Sequence, residues 1–253
     1  MAARFVLAQI SDLHVTATPR PEFDSAANVK RALDAVRAYE PDIILATGDL
    51  ADDACAEEYE ALAPLLADPP APLYLIAGNH DEPAHIRKYF PGHAYLPKEG
   101  RLSYVIDGAV RVVALDQTVY GKTGGAFDNA GAAWLEAQLA AAPDKPTVVA
   151  LHHPPFLTHD RLFDRIGLAN HEAFAAVIAR HPQVDLVIAG HHHRAIQGRV
   201  AHAPAVIAPS TAYTYELSLQ DAQEIGRKNY ASYGFALHVW PESGPPTSHF
   251  IYL

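Results

Sequence analysis

The sequence predicts an α/β fold, and three observations support this prediction. Short runs rich in Val, Ile and Leu alternate with alanine-rich stretches, a rhythm that is typical of βαβ units around a buried sheet. With 253 residues, 49% of them hydrophobic, the chain can bury a substantial core. Polar clusters directly follow five of the apolar runs, at the strand ends where an open α/β sheet places its ligand crevice.

The elements alternate regularly through most of the chain. Strands are predicted at 4–10, 42–47, 73–77, 147–151 and 185–189, with helices near 25–39, 55–67, 130–141 and 170–180. Two further runs, "SYVI" and "VRVVAL", meet at Asp107-Gly108, a dipeptide suited to a tight hairpin. After residue 195 the runs are short, which predicts an antiparallel C-terminal part, 195–253, of one domain spanning 1–253. The stretch 212–232 has no firm period, and no structure is predicted for it.

The net charge and the cysteine content restrict the functions and the cellular locations that we expect for this protein. The formal net charge of -10 disfavours a long nucleic acid, whose binding depends on many phosphate contacts. Cys55 is the only cysteine, so no disulfide can form within these residues, and the cytoplasm is the simplest location. The run at 1–10 lacks the length and cleavage site of a signal peptide. No run approaches the roughly 18 apolar residues of a membrane span, so we expect no membrane partner and leave a homo-oligomer open.

The five polar clusters carry donor atoms typical of metal sites. They are "SDLH" at 11–14, "GDLADD" at 48–53, "GNHD" at 78–81, "HHPP" at 152–155 and "GHHH" at 190–193. Asp, Asn and His, with cysteine absent from all five, form an oxygen and nitrogen set that suits divalent transition metals. Any one of these clusters alone is more often a turn or a helix N-cap. The metal interpretation therefore depends on all five meeting at one edge of the sheet.

Side-chain alternation predicts which members of a cluster face the same way. On an extended segment Asp12 and His14 share a side. By the same period His191 and His193 project together, and His192 points elsewhere.

In this order, the clusters resemble the motifs of calcineurin-like metallophosphoesterases, and most closely those of the bacterial class III cyclic-nucleotide phosphodiesterase and glycerophosphodiesterase branch. The matching set is Asp12-x-His14, Gly48-Asp49, Gly78-Asn79-His80-Asp81, His152-His153-Pro154 and Gly190-His191-x-His193. The resemblance implies a four-layer α/β/β/α sandwich with two mixed sheets and an active site at the C-terminal ends of the strands. It also implies two divalent transition-metal ions, for which Fe, Mn, Zn and Co are all suitable, with a bridging water or hydroxide.

The resemblance assigns roles to individual residues. One ion is held by Asp12, His14, Asp49 and His193, and the other by Asp49, Asn79, His152 and His191. His152 rather than His153 is the implied ligand because the family pattern is His-x-Pro. His80 faces the scissile ester, where a histidine can protonate the leaving group. Asp49, as the bridging ligand, and His80 are the predicted catalytic residues.

The remaining candidates are assigned more weakly. Possible substrate contacts are His192, His153, Asn28 and Arg194. His153 and His192 adjoin implied ligands, so each could instead support a ligand from behind. Asp52 and Asp53 could orient ligand histidines or lie in a solvated acidic loop, with Asp52 favoured by its position in the motif.

The expected function is hydrolysis of a small anionic phosphodiester, with 3',5'-cyclic nucleotides such as cAMP and cGMP as the first choice. Two ions roughly 3.5–4 Å apart can bind phosphate oxygens and supply the attacking hydroxide. The alternatives are a broad glycerophosphodiesterase or a phosphomonoesterase. A metal-binding scaffold without catalysis is disfavoured because every implied ligand and His80 are present. A nuclease is disfavoured by the acidic charge and by the lack of a basic stretch interleaved with aromatic residues.

Overall fold

The computed structural model describes residues 5–219 and 226–253 and confirms the predicted α/β class. The strands are β1 (Phe5–Ile10), β2 (Ile43–Thr47), β3 (Leu73–Ile76), β4 (Tyr104–Ile106), β5 (Arg111–Ala114), β6 (Gly125–Ala126), β7 (Thr147–Ala150), β8 (Leu168–Ala169), β9 (Val184–Ala189), β10 (Ile196–Val200), β11 (Ala203–Ile207), β12 (Thr214–Tyr215), β13 (Lys228–Asn229), β14 (Gly234–Trp240) and β15 (Thr247–Tyr252). The helices are α1 (Ser25–Arg37), α2 (Ala56–Leu65), α3 (Pro83–Tyr89), α4 (Asn129–Ala140), α5 (Arg161–Arg165) and α6 (His171–Ile178). Residues 1–4, with the start of the first predicted strand, and part of the unassigned stretch 212–232 lie outside the described residues.

Two mixed sheets form the centre of the fold. The five-stranded sheet has the order β15-β14-β1-β2-β3, with β1, β2 and β3 parallel to one another. The six-stranded sheet has the order β10-β11-β9-β7-β5-β4, with a parallel centre and antiparallel strands at both edges. The predicted β4–β5 hairpin is present, but residues 107–110 connect its strands, so the turn is longer than the tight two-residue turn that Asp107-Gly108 suggested.

Four of the strands after residue 195 are shared between the two large sheets, while β12 and β13 pair with each other in a separate two-stranded sheet. The β10–β11 hairpin extends the six-stranded sheet, whereas β14 and β15 extend the five-stranded sheet. β10, β14 and β15 pair antiparallel, as predicted for this part of the chain. β11 follows the prediction on one side only, because it pairs antiparallel with β10 but parallel with β9.

Successive side chains along the strands of the six-stranded sheet point to opposite faces, and the two faces belong to two separate clusters of buried side chains. Val113, Val149 and Val187 lie in the cluster that contains buried side chains of α4 and α6. The flanking positions, among them Val112 and Val148, lie in the cluster that contains the five-stranded sheet, α1 and α2. The six-stranded sheet is therefore covered by helices on one face and by the other sheet on the opposite face.

Two of the long helices begin at an aspartate that caps them. Asp24 accepts a hydrogen bond from the Ala27 amide at the start of α1, and Asp128 does the same for the Gly131 amide in α4. Within the described residues, no helix is both long and apolar enough to cross a bilayer.

His238 on β14 should make the stability of the fold depend on pH. Its side chain is fully buried, with Nδ1 2.7 Å from Ser248 Oγ and Nε2 2.9 Å from Gln9 Oε1. Burial lowers its pKa from 6.5 to about 3, so the folded state holds the neutral ring while the unfolded chain is protonated below pH 6.5. Protonation therefore favours unfolding, and this contribution to stability is lost as the pH falls from 6.5 towards 3.

We expect the loss from this residue to reach about 2 kcal/mol between pH 8 and pH 5. The measurement is urea unfolding of the wild type and of His238→Gln at both pH values. The variant should lose less free energy of unfolding than the wild type over this interval. Equal losses would contradict the assignment of the pH dependence to His238.

Candidate metal centre

Five strand ends from both sheets meet at one place. The segments after β1 and β2 continue to pair beyond the strands, because the Asp12 amide donates to Gly48 O (3.0 Å) and the His14 amide to Asp49 O (3.0 Å). The segment after β9 joins them from the other sheet, with the His191 amide 2.9 Å from Asp12 Oδ1. The loops that follow parallel strands in the two sheets thus form one polar cluster at the sheet junction.

The first donor set comprises Asp12, His14, Asp49 and His193, whose ligand atoms all lie within 4.8 Å of one another. All four side chains are buried, with 0–3% of their surface exposed. His14 Nε2 lies 3.1 Å from His193 Nε2 and 3.6 Å from Asp49 Oδ2. His193 Nε2 in turn lies 3.5 Å from Asp12 Oδ1.

A second group of donors lies on the other side of Asp49. His152 Nε2 is 3.3 Å from Asp49 Oδ1 and 3.1 Å from Asn79 Oδ1. The two oxygens of the Asp49 carboxylate therefore face different histidines, His14 on one side and His152 on the other. A single carboxylate placed in this way can bridge two cations.

His191 belongs to the second side, and so does His153. The ligand atoms of His152, His153 and His191 lie within 4.8 Å of one another. His191 Nε2 is buried without a hydrogen-bond partner. His153 Nε2 lies 3.1 Å from Thr123 O, while its Nδ1 has no partner. The structure thus places His153 beside the predicted ligands.

Backbone and carboxylate acceptors fix the tautomers of three of these histidines. Each ring donates from Nδ1: His14 to Asp52 Oδ1 (2.9 Å), His152 to Thr47 O (2.8 Å) and His193 to Tyr213 O (3.1 Å). A neutral ring that donates from Nδ1 carries its lone pair on Nε2. The His14 and His193 lone pairs consequently face each other, an arrangement that a cation between them relieves. The donors present therefore fit a bound divalent ion.

The backbone at the site differs from the extended segments that the sequence suggested. Residues Asp12, His14, Asp49, His191 and His193 have φ values of 51, 42, 50, 73 and 58. These values lie in the left-handed region, which is uncommon and strained for residues other than glycine. Asp12 and His14 lie in one donor set, as expected, whereas His191 and His193 lie in different donor groups. Gly190 is required here, because a Cβ at this position would collide with Ser11 Oγ.

Burial and neighbouring charges shift the pKa values of the carboxylates in opposite directions. Burial raises the pKa of Asp12 to about 6. Burial also acts to raise the pKa of Asp49, but the nearby His152, His14 and His80 outweigh it and hold that pKa well below its usual range. The Asp49 carboxylate in turn overcomes the effect of burial on His152 and raises its pKa to about 9. Asp49 is the residue in which negative charge is best stabilised.

His80 lies at the edge of this cluster and is half-buried. Its Nδ1 is 2.5 Å from Asp52 O, and its ring packs edge-on against His14 at 4.8 Å between centroids. Its amide donates to Asp49 Oδ1 (2.9 Å), which ties the backbone of the "GNHD" segment to the bridging carboxylate. Nε2 is left as the nitrogen that can reach a bound molecule.

Two further residues organise the site although no role was predicted for them. Asp81 accepts hydrogen bonds from the amides of Leu50, Ala51 and Gly78, so it braces the loop that carries Asp49. The Tyr213 carbonyl orients His193. Asp81 could have been suspected from its place in the "GNHD" motif, whereas no local pattern marks Tyr213.

Apart from His153, the weaker candidates lie around the two donor sets rather than in them. His192 is buried against Phe163, 4.5 Å between ring centroids, and belongs to none of the donor groups found among the described residues. Arg194 pairs with Asp160 at 2.8 Å. Asn28 is buried and donates to Ala212 O (3.3 Å), a contact within the protein. Asp52 orients His14, as the motif position suggested.

Residues 5–195 match the family described as Calcineurin-like phosphoesterase, and this match covers most of the chain. The chain belongs to the calcineurin-like phosphoesterase family. The predicted family is thereby confirmed, and with it the assignment of the chain to a family of phosphoester hydrolases.

Named relatives of this phosphoesterase include enzymes for two kinds of diester. A probable cyclic nucleotide phosphodiesterase of Synechococcus sp. is 34% identical over 197 residues, which are 76% of this chain and 75% of the relative. A 3',5'-cyclic-nucleotide phosphodiesterase of Nostoc sp. is 30% identical, covering 83% of this chain and 79% of that one. A glycerophosphodiester phosphodiesterase, GpdQ, of Enterobacter lignolyticus is also 30% identical, covering 86% and 81%.

Solved structures of low sequence identity share the fold of this phosphoesterase. A dimetal phosphatase from Danio rerio superimposes with a TM-score of 0.65 at 14% identity, covering 96% of this chain and 98% of that chain. Purple acid phosphatase from yellow lupin superimposes with a TM-score of 0.71 at 14% identity. The aligned part covers 100% of this chain and 52% of the lupin chain.

Single substitutions in "GHHH" should separate the two sides of the phosphoesterase site. His193→Ala removes a donor from the first set and His191→Ala one from the second, so each should lower the metal content by about one equivalent per chain. His192→Ala should keep both equivalents, because its ring packs on Phe163. The measurement is metal per chain by elemental analysis. Loss of an equivalent from His192→Ala, with His191→Ala unchanged, would require a different ligand assignment.

Proposed function

We propose that this protein hydrolyses small phosphodiesters at a dinuclear metal centre and that 3',5'-cyclic nucleotides are its preferred substrates. The observation that carries the proposal is the Asp49 carboxylate, whose two oxygens face His14 and His152 on opposite sides. Two relatives at 30–34% identity are named as cyclic nucleotide phosphodiesterases, which supports the substrate class.

The donors around Asp49 support a proposal of two ligand sets. We assign one ion to Asp12, His14, Asp49 and His193, and the other to Asp49, Asn79, His152 and His191. When bound, two divalent ions neutralise the phosphoryl oxygens and lower the pKa of a water molecule that attacks phosphorus. Imidazole, carboxylate and amide donors suit Fe, Mn, Zn or Co. A free Cys55 is compatible with a cytoplasmic location.

His80 is the residue that we assign to the leaving group. Because Nδ1 donates to the Asp52 carbonyl, the ring is held in one orientation, with Nε2 free to hold a proton. A proton on Nε2 can pass to the alkoxide as the ester bond breaks. The Asp49 contact to the His80 amide fixes the distance of this ring from the metal ligands.

A cleft beside Asn79 has room for the alcohol part of a diester. Its volume is about 760 Å³, and its walls include Asp53, His85, Arg101 and Tyr120. This size falls within the usual range of small-molecule sites. Because the relatives also include a glycerophosphodiester phosphodiesterase, a glycerophosphodiester is the second candidate substrate.

A substrate panel on metal-depleted and metal-loaded protein tests the proposal. Chelation should abolish turnover, and Mn²⁺ should restore it, because the attacking water must be activated. The panel contains cAMP, cGMP, glycerophosphodiesters, bis-p-nitrophenyl phosphate and the matching monoesters. Diesters should show the higher kcat/KM, since the neighbouring guanidinium groups of Arg20 and Arg194 are already paired with Asp52 and Asp160. Full activity without metal, or a strong monoester preference, would refute the proposal.

His80→Ala should separate leaving-group chemistry from metal binding. General-acid assistance is typically worth about 10²–10⁴-fold, so hydrolysis of cAMP should fall steeply. Hydrolysis of bis-p-nitrophenyl phosphate should fall much less, because nitrophenolate leaves without a proton. The metal content should remain close to that of the wild type. Asp49→Ala serves as the comparison that loses metal, and an equally severe loss from His80→Ala would make His80 a ligand.

A further inference from the structure

Arg20 reaches the edge of the metal centre from the segment between β1 and α1. The backbone of Arg20 pairs with that of Phe23 through two hydrogen bonds. Phe23 packs against Tyr213, with 5.5 Å between ring centroids, and so anchors this segment to the part of the chain that orients His193. The Arg20 guanidinium forms an ion pair with Asp52 and lies 3.8 Å from Asp53.

Both oxygens of the Asp52 carboxylate are occupied in this arrangement. Oδ1 accepts from His14 Nδ1, and Oδ2 is taken by Arg20. Arg20 carries a charge that it cannot lose in a protein. The carboxylate therefore faces a permanent cation on the side away from His14.

Asp52 is also shared by two groups of donors outside the assigned ligand sets. The ligand atoms of His14, Asp52 and His80 lie within 4.8 Å of one another, and so do those of Asp52, Asp53 and Glu58. An ion in the first group would take the His14 nitrogen that now donates to Asp52, or would take His80. Either outcome removes a residue that the proposed mechanism needs.

We propose that Arg20 directs metal ions into the assigned sets by saturating Asp52 and so excluding an ion from the two competing groups. Each oxygen of the Asp52 carboxylate already accepts a hydrogen bond, which weakens it as a metal ligand, and the guanidinium charge repels a divalent ion nearby. Arg20 is thus a positioning residue that keeps His14 facing the first set and leaves His80 free. This inference rests on the proposed dinuclear centre but not on the identity of the substrate.

The test counts Mn²⁺ bound per chain by equilibrium dialysis. The wild type is compared with Arg20→Leu, with Arg20→Lys, which keeps the charge, and with the double variant Arg20→Leu/Asp52→Asn. Arg180→Leu is the matched control, because it removes an arginine that pairs with a carboxylate, Glu136, on the helical side of the molecule. Inhibition of bis-p-nitrophenyl phosphate hydrolysis by excess Mn²⁺ is measured on the same proteins.

Arg20→Leu should bind one Mn²⁺ more than the wild type, and excess Mn²⁺ should inhibit it at a concentration about tenfold lower. Arg20→Lys and Arg180→Leu should match the wild type. The double variant should return to the wild-type count, since the side-chain oxygen of the introduced asparagine would still accept from His14 without a carboxylate charge. If Arg20→Leu does not fold, Arg20→Gln carries the same expectation.

Unchanged Mn²⁺ binding by Arg20→Leu would overturn the inference. Lower Mn²⁺ binding would also overturn it, because it would show that Arg20 only supports His14. Failure of the proposed function gives a different result. In that case the wild type hydrolyses no diester, while the difference in Mn²⁺ count between Arg20→Leu and the wild type can still be measured.

Discussion

Two carboxylates buried where the sheets meet, Asp12 and Asp49, impose the constraint on which the rest of the site depends. An ionised carboxylate away from water is costly unless hydrogen bonds and opposite charge compensate it. The chain supplies amides, with the His191 amide on Asp12 and the His80 amide on Asp49. It also supplies imidazoles whose lone pairs face inward. Bound cations can supply the remaining positive charge, and the burial of the donors thereby favours metal binding.

The left-handed residues follow from the same constraint. A straight strand would spread its side chains out along its length. At this site, by contrast, the side chains of alternate residues from both sheets must point into one small volume. The strained φ values at Asp12, His14 and Asp49 are therefore paired with backbone hydrogen bonds between the segments after β1 and β2. Such strain persists only where the surroundings fix the backbone, and the Asp81 carboxylate, which holds the Leu50 and Ala51 amides, is part of that fixation.

Patterns local in sequence predicted much of this arrangement. The strand-like runs gave β2 and β9 to within a residue, and the polar clusters at their ends named the residues that the structure brings together. What failed depended on contacts between distant residues. The left-handed φ at His191 accompanies the hydrogen bond from its amide to Asp12, a residue far away in the sequence. Arg20 and Asp52 are 32 positions apart, so no period or spacing connects them. The short helix α3 was missed although Glu82 and Pro83 supply a cap and a first-turn proline.

The distribution of charge around the site bears on what it can accept. The chain has a formal net charge of -10, and carboxylates of Asp53 and Glu82 line the cleft beside Asn79. The guanidinium groups of Arg20, Arg194 and Arg101, the last of which lines the cleft, are already paired with aspartates. Bound metal ions would therefore supply most of the attraction for an anion, against the opposing charge of the acidic walls. A substrate with one negative charge at the metals would match this field, whereas a polyanion would place its further phosphates against carboxylates. The acidic walls therefore support the proposal that the substrate is a small diester.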